Sequence, residues 1–388
     1  MSIAVLSPNG GTVTAGQAPA TTLFVATIQG VLRFERPGPD AAWTLTGRSL
    51  VEFQISSLLH IPGRDRLFAG THGGKGLWAS DDNGDTWAEV KGGMDTPHVY
   101  MLIAQSRPEG VAIYCGTEPV GLYRSYDYGD TWEKLPAVAD VPGNELWTFP
   151  PPPHIAHVKH IAFHPDHPKT LYVCIEQGAL LKSEDDGYSW VELTDYEDAA
   201  KVEEKFRRDN HRVVIKPSNP NHLLLCGGEG MFRSHDGGIT WDHVLTRQSR
   251  IGYPDAMFLD PCDENSVIIG GPGNAPRDWR TSNTSDATVM VSTDFGSTWQ
   301  ERRTGLPANV VGNIEAMGLH HTGDDIMLTA GTATGEVYVS YDRAQSWQAI
   351  ELNAPPISKA GHYRWFLSDE RRAQIEDAMR AWKPEQVA

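Results

Sequence analysis

The chain has 388 residues, 40% of them hydrophobic, with 12 tryptophans and 38 glycines, so length alone allows two or three average domains built from short strands and tight turns. With 33 Lys and Arg against 50 Asp and Glu, the formal net charge of −17 argues against nucleic acid and anionic membranes as partners, because both select basic surfaces. No run is apolar enough to cross a bilayer, and the start, MSIAVLSPNGG, lacks the basic and apolar regions of an export signal, so a cytoplasmic protein is expected.

The first segments, TLFVATIQG, VLRFERPG and AWTLTGRS, are apolar stretches parted by turn residues, the rhythm of short antiparallel strands. Then comes SDDNGDTW, Ser80 to Trp87, and its pattern returns along the rest of the chain. The later copies are SYDYGDTW ending at Trp132, SEDDGYSW at Trp190, SHDGGITW at Trp241, STDFGSTW at Trp299 and SYDRAQSW at Trp347. A repeat of roughly fifty residues marks units that cannot bury an apolar face alone and must stack on their neighbours. Within each copy, Ser and Asp can bond backbone amides of a turn, glycine supplies a left-handed position, and tryptophan is a large apolar wedge. In the last copy Ala344 replaces that glycine, and a slightly altered turn is expected there.

Between copies the segments keep one order. HVKHIAFHP, TLYVCIE, ALLKS and WVELTD are four strands of one unit, and HRVVIKP, HLLLCGG, MFRS and WDHVL are four of the next. Cys115, Cys174 and Cys226 share one repeat position and Cys262 stands apart; without C-x-x-C spacing, buried reduced thiols are expected for the repeated set.

The S-x-D-x-G-x-[T/S]-W pattern resembles the Asp-box, or BNR repeat, of sialidase-like β-propellers. The resemblance implies an all-β fold, a single seven-bladed β-propeller of four-stranded antiparallel blades over residues 1–368. Six blades carry boxes, and a boxless first blade would be closed by GHYRWFLS, residues 361–368, from the other end of the chain. It also implies that the boxes lie on the outer part of the blades, so their aspartates are structural. Residues 369–388, beginning DERRAQIEDAMRAW, form a helical tail with Ser368 as N-cap. Three insertions interrupt the repeat: residues 133–156, a short helix over 197–208, and Pro272 to Ala287. In a propeller these connections emerge on one face, the mouth of the central tunnel.

Ring closure would bring residues from distant repeats to that mouth. His72, His98, His157, His211 and His362 are candidate ligands of one divalent transition metal, Zn, Fe, Mn or Cu, because neutral imidazole is the commonest such ligand. Glu118, Asp255, Glu315 and His160 are candidate catalytic acids and bases. Arg212, Arg250, Arg277, Arg280 and Arg364, with Trp147 and Tyr253, are candidates to bind a small anionic or aromatic substrate through guanidinium forks and aromatic walls. Nothing points to a nucleotide cofactor.

Three readings stay open: a hydrolase or lyase acting on a small organic molecule at a His-rich, metal-binding axial pocket; a non-catalytic module gripping a protein or peptide; and a glycosidase-like carbohydrate pocket. The Arg-Ile-Pro motif that starts the sialidase carboxylate-binding triad is missing around Arg33 and Arg48. Xyloglucan-cleaving relatives use paired aspartates across a cleft between two propellers, and one propeller cannot reproduce that cleft.

Overall fold

A computed structural model of the chain describes residues 2–96, 98–136, 138–147, 155–193, 209–273, 276–359 and 361–381. The helix expected over 197–208 lies outside the described residues, as do Phe149 and His154 of the proline-rich insertion.

Seven sheets form the expected all-β propeller, and among the described residues five of them are antiparallel from the axis outward. The first boxed blade is typical: Gln54–Ile61 is innermost, followed by Arg66–His72, Leu77–Ser80 and Ala88–Glu89. Inner and second strands are buried almost throughout, whereas the two-residue outer strand is exposed on both faces. The core therefore consists of apolar layers between neighbouring blades. One such layer sets Met101 and Tyr114 of the third blade against Val158, Ile161 and Val173 of the fourth. Cys115, Cys174 and Cys226 lie in these layers as free buried thiols, while Cys262 is exposed.

Ring closure differs from the expectation. Residues His362–Trp365 form a 3-10 turn, and the N-terminal segment closes the ring instead. Ile3–Leu6 pairs in parallel with Thr22–Thr27 as the innermost strand of the first blade, and Val13–Ala15 pairs in parallel with Ile314–Thr322 of the seventh. One segment thus stitches first and last blades together and leaves neither inner edge unpaired. Between these strands the chain crosses the tunnel. Asn9 donates its amide to Ser56 O at 3.2 Å, Gly11 donates to Leu102 O at 2.8 Å, and Arg212 reaches Gly10 O at 3.0 Å.

The boxes behave as their chemistry requires. Ser292 Oγ accepts from the Gly296 amide and donates to Asp294, each at 2.8 Å, while Asp294 accepts from the amide and hydroxyl of Thr298, each at 2.7 Å. Phe295 and Gly296 hold the left-handed conformations of the turn. Ala344 adopts the same left-handed conformation, φ 65°, and its amide still donates to Ser340 Oγ at 3.0 Å. The turn expected to change is conserved in shape, with the strain of a Cβ in that region, about 1–2 kcal/mol, carried by the surrounding bonds.

Two outcomes are expected. The box hydroxyls and amides hold Asp82, Asp236 and Asp294 down to about 2, from 3.8. Carboxylates with folded values below their unfolded ones stabilise fully above the unfolded value, and that contribution is lost as pH falls through the folded one. Thermal melting should therefore decline from about pH 4 to about pH 2, and less steeply in Asp294→Asn. At the tunnel crossing Gly10 has φ 82°, and an added Cβ would sit 2.4 Å from both Leu102 O and Ser57 Oγ. Gly10→Ala should cost about 1–3 kcal/mol in urea unfolding.

Candidate active site at the propeller axis

The inner strands place polar side chains on the axis by a repeated irregularity. Their pairing with the second strand skips one residue between Ile55 and Ser57, Val99 and Met101, Val158 and His160, Asn210 and Arg212, and Ile314 and Ala316. The skipped residues, Ser56, Tyr100, Lys159, His211 and Glu315, form one ring of equivalent positions, with Asp255 in the corresponding place on the sixth blade. A bulge re-aims its side chain and bends the strand, which suits a residue that must face a narrow tunnel. Two residues earlier stand Gln54, His98, His157, Asp209, Tyr253 and Asn313, on the same side of each strand by the two-residue period. Ends of second strands add His72 and Glu176, with Glu118 in the turn that follows.

These groups are joined by charge. His157 donates from Nε2 to Glu176 at 2.7 Å and lies 3.2 Å from Glu118 through Nδ1, while His72 approaches the other Glu118 oxygen at 3.4 Å. Lys359 arrives from beyond the seventh blade and sets its ammonium between Glu176, at 3.1 Å, and Asp255, at 2.5 Å. Lys159 bonds Asn9 Oδ1 at 2.8 Å and Glu176 at 3.3 Å. Asn313 donates to Asp255 at 2.6 Å, and Tyr253 donates to Asp209 at 3.0 Å. Glu315 accepts from the Lys359 amide at 2.8 Å and pairs with His362 at 3.1 Å.

Pairing decides the protonation states. Burial pushes Asp255 up, but Lys359, His211 and Lys159 prevail and hold it down to about 2. Glu176 is likewise held low, against burial, by both lysines and His157. Glu118 falls to about 2 because the hydrogen bonds of His157 and His72 outweigh its burial. His157 is raised, its two carboxylate partners overcoming complete burial. Lys359, between two carboxylates, keeps its proton; Lys159 is brought to about 8 by burial and by Lys359, with Glu176 opposing. The centre is thus a set of fixed ions beneath a rim of partly exposed groups, His72 at 23% and Glu118 at 15%.

Several expected residues meet here: His72, His98, His157, His211, His362, Glu118, Asp255, Glu315 and Tyr253. His211 bonds the Pro254 carbonyl through Nδ1 at 2.7 Å and turns Nε2 to Asp209 at 3.2 Å. Others do not meet. His160 and Arg212 each follow the bulge by one residue, so they face away from the carboxylates; His160 Nδ1 is buried without a hydrogen-bond partner, and Arg212 serves the tunnel crossing. Arg250 pairs with Glu301 at 2.8 Å on an outer strand, Arg277 is 73% exposed on the helix Pro276–Ser282, and Arg364 lies exposed over the Tyr363 ring. Trp147 packs between the third and fourth blades. Arg280 belongs to the same helix as Arg277, and its side chain lies outside the described residues.

Sequence reasoning missed Glu176, Asp209, Lys159, Lys359, Tyr100 and Asn313. Aligning the inner strands on the apolar residue before the bulge would have found Lys159 and Tyr100, since HVK and HVY match there. No local signal marks Lys359, whose role depends on carboxylates from two other blades.

A surface groove of about 920 Å³ lies far from this centre, between the boxes of the third and fourth blades. Its Asp186 is already engaged by Arg107 at 2.6 Å and Arg124 at 2.8 Å, so the groove is an interblade clamp.

Comparison with known proteins agrees with the fold. The BNR/Asp-box repeat family profile matches residues 232–243, around the fourth of the six boxes, in a chain that folds as a seven-bladed β-propeller. A xyloglucanase of Hypocrea jecorina (strain QM6a) is 26% identical over 241 residues, 55% of this chain and 27% of that enzyme. The chain therefore spans about a quarter of that relative's length. Among solved structures, an ancestral GH74 enzyme superposes with a TM-score of 0.55 at 18% identity, covering 74% of this chain and 36% of that one. YCF48 bound to D1 peptide gives a TM-score of 0.50 at 14% identity, covering 84% and 95%. At these identities the structural likeness is one of fold.

Lys359→Met would leave Glu176 and Asp255 without the cation they share. Removing one partner of a buried ion pair typically costs about 3–5 kcal/mol, and urea unfolding should show a loss of that size.

Proposed function

We propose that the protein is a hydrolase acting on a small polyhydroxylated molecule at the mouth of the propeller axis. The observation that carries this reading is the pairing of fixed positive charge with partly exposed carboxylates. His157 lies 3.2 Å from Glu118, Lys359 bonds Glu176 at 3.1 Å, and His211 faces Asp209 at 3.2 Å, a set suited to stabilise an oxyanion while a neighbouring base accepts a proton. Asp209, bonded by Tyr253 and facing His211, is the base best placed to serve the opening. Tyr253 and His211, 4.8 Å apart edge to face, hold it in position.

The hydrolase class and the hydroxyl-rich substrate draw support from the relative named as a xyloglucanase. A polymer is a poor fit to this opening. Ser358, Lys359 and His362, all from beyond the seventh blade, occupy one side of it. The paired-carboxyl mechanism of many glycosidases also needs one protonated carboxyl group. Glu118, Glu176 and Asp255 are all held ionised, so proton donation falls to an imidazole.

A second reading, a peptide-binding module, rests on the fold shared with YCF48 bound to D1 peptide. Aryl glycosides, sugar esters and sugar lactones, followed by product release, separate the two. The expected result is turnover of at least one of them and a loss of about 10²–10⁴-fold in kcat for Asp209→Asn, with melting preserved. Wild-type protein that turns over none of them would overturn the hydrolase reading.

A further inference from the structure

We infer that His72, His98 and Glu118 form a binding site for one divalent transition-metal ion at the rim of the axis. Their ligand atoms, one from each residue, all lie within 4.8 Å of one another, and each residue is partly exposed. Two imidazoles and one carboxylate supply three ligands, fewer than the roughly four to six that a transition metal takes, which leaves positions for water or substrate. That donor set suits Fe, Mn or Zn, whereas Ca and Mg prefer oxygen ligands alone.

Three further observations point to a cation. First, the Glu118 carboxylate meets imidazoles and, among the described residues, no lysine or arginine. Second, His98 Nδ1 is buried without a hydrogen-bond partner, an arrangement that costs free energy unless something ligates or bonds it. Third, the supporting groups are those of a metal site. His157 lies against the Glu118 oxygen turned away from His72 and is anchored in turn by Glu176 at 2.7 Å. Tyr100 stacks on His157 with ring centres 3.6 Å apart and meets His72 edge-on at 6.0 Å, fixing both rings. Such partners orient ligands and tune their basicity.

The other grouping of this kind, Glu176, Asp209 and His211, shows why the rim is the better site. The Lys359 ammonium already sits 3.1 Å from Glu176 Oε1, so a metal there would have to displace a buried cation. At the rim the neighbouring cationic group is His157, which takes the Glu118 oxygen turned away from His72 and leaves the other oxygen to a metal.

The role of the ion, to polarise a substrate oxygen or bind the attacking water, rests on the hydrolase reading; its binding does not. Protein purified without a histidine tag and stripped with a chelator is titrated calorimetrically with Zn(II), Mn(II) and, without oxygen, Fe(II). One saturable equivalent per chain is expected for at least one ion. His98→Ala and His98→Gln should abolish uptake, His157→Gln should weaken it about 10- to 100-fold, and His160→Ala, which faces away, should leave it unchanged. Circular dichroism and melting confirm that each variant is folded. No saturable uptake by the wild type, or unchanged uptake by a folded His98 variant, overturns the inference. Uptake without turnover of any sugar substrate leaves the metal site standing and removes the hydrolase reading, and turnover by protein that takes up no metal does the reverse.

Discussion

A ring of sheets has one line along which all its inner strands converge, and whatever side chains they project there must be compatible in charge and volume. In this propeller that line is filled by ions. Apolar layers between blades account for the packing, but the axis is held by Glu176, Asp255 and Glu315 against Lys159, Lys359 and His157. Buried charges of one sign would be prohibitively costly, so each carboxylate requires a donor, from its own blade as His157 and Lys159 serve Glu176, or from elsewhere in the ring as Lys359 serves Asp255. Ring closure and axial chemistry are therefore one problem.

Both ends of the chain contribute to the solution. The N-terminal segment pairs with the first and seventh blades and passes Asn9 across the tunnel to meet Lys159. The segment after the seventh blade returns over the opposite end and delivers Lys359 between two carboxylates. What remains open is the side bordered by His72, His98, Glu118 and Asp209. His72, His98 and Glu118 are partly exposed, as a ligand requires, and are backed by a second layer that fixes their orientation.

Most of the fold was legible in the sequence because the boxes are local devices. Ser, Asp, Gly and Trp act within eight residues, so their physics needs no distant partner, and even Ala344 is absorbed by the same turn. The strand closing the ring was not legible. Ile3–Leu6 is an ordinary apolar tetrapeptide, and its parallel partner is selected by the geometry of the finished ring. The histidines and acids expected at the mouth lie near one another in the folded ring, whereas His160 and Arg212 fall one residue beyond the bulge. In a strand a shift of one residue reverses the face, and the bulge that causes the shift leaves no mark in composition.

The sequence by itself determined the repeat, the number of boxed units and the crowding of imidazoles toward one end of the inner strands, because each follows from side chains acting on their own backbone or from the two-residue period. Only the tertiary structure decided which of those groups are ions and which partner each one has. Protonation and pairing depend on burial and on charges brought from other blades. Lys359 is the clearest case: in the sequence it is one lysine in a loop, and in the folded ring its ammonium is the counter-ion of two blades.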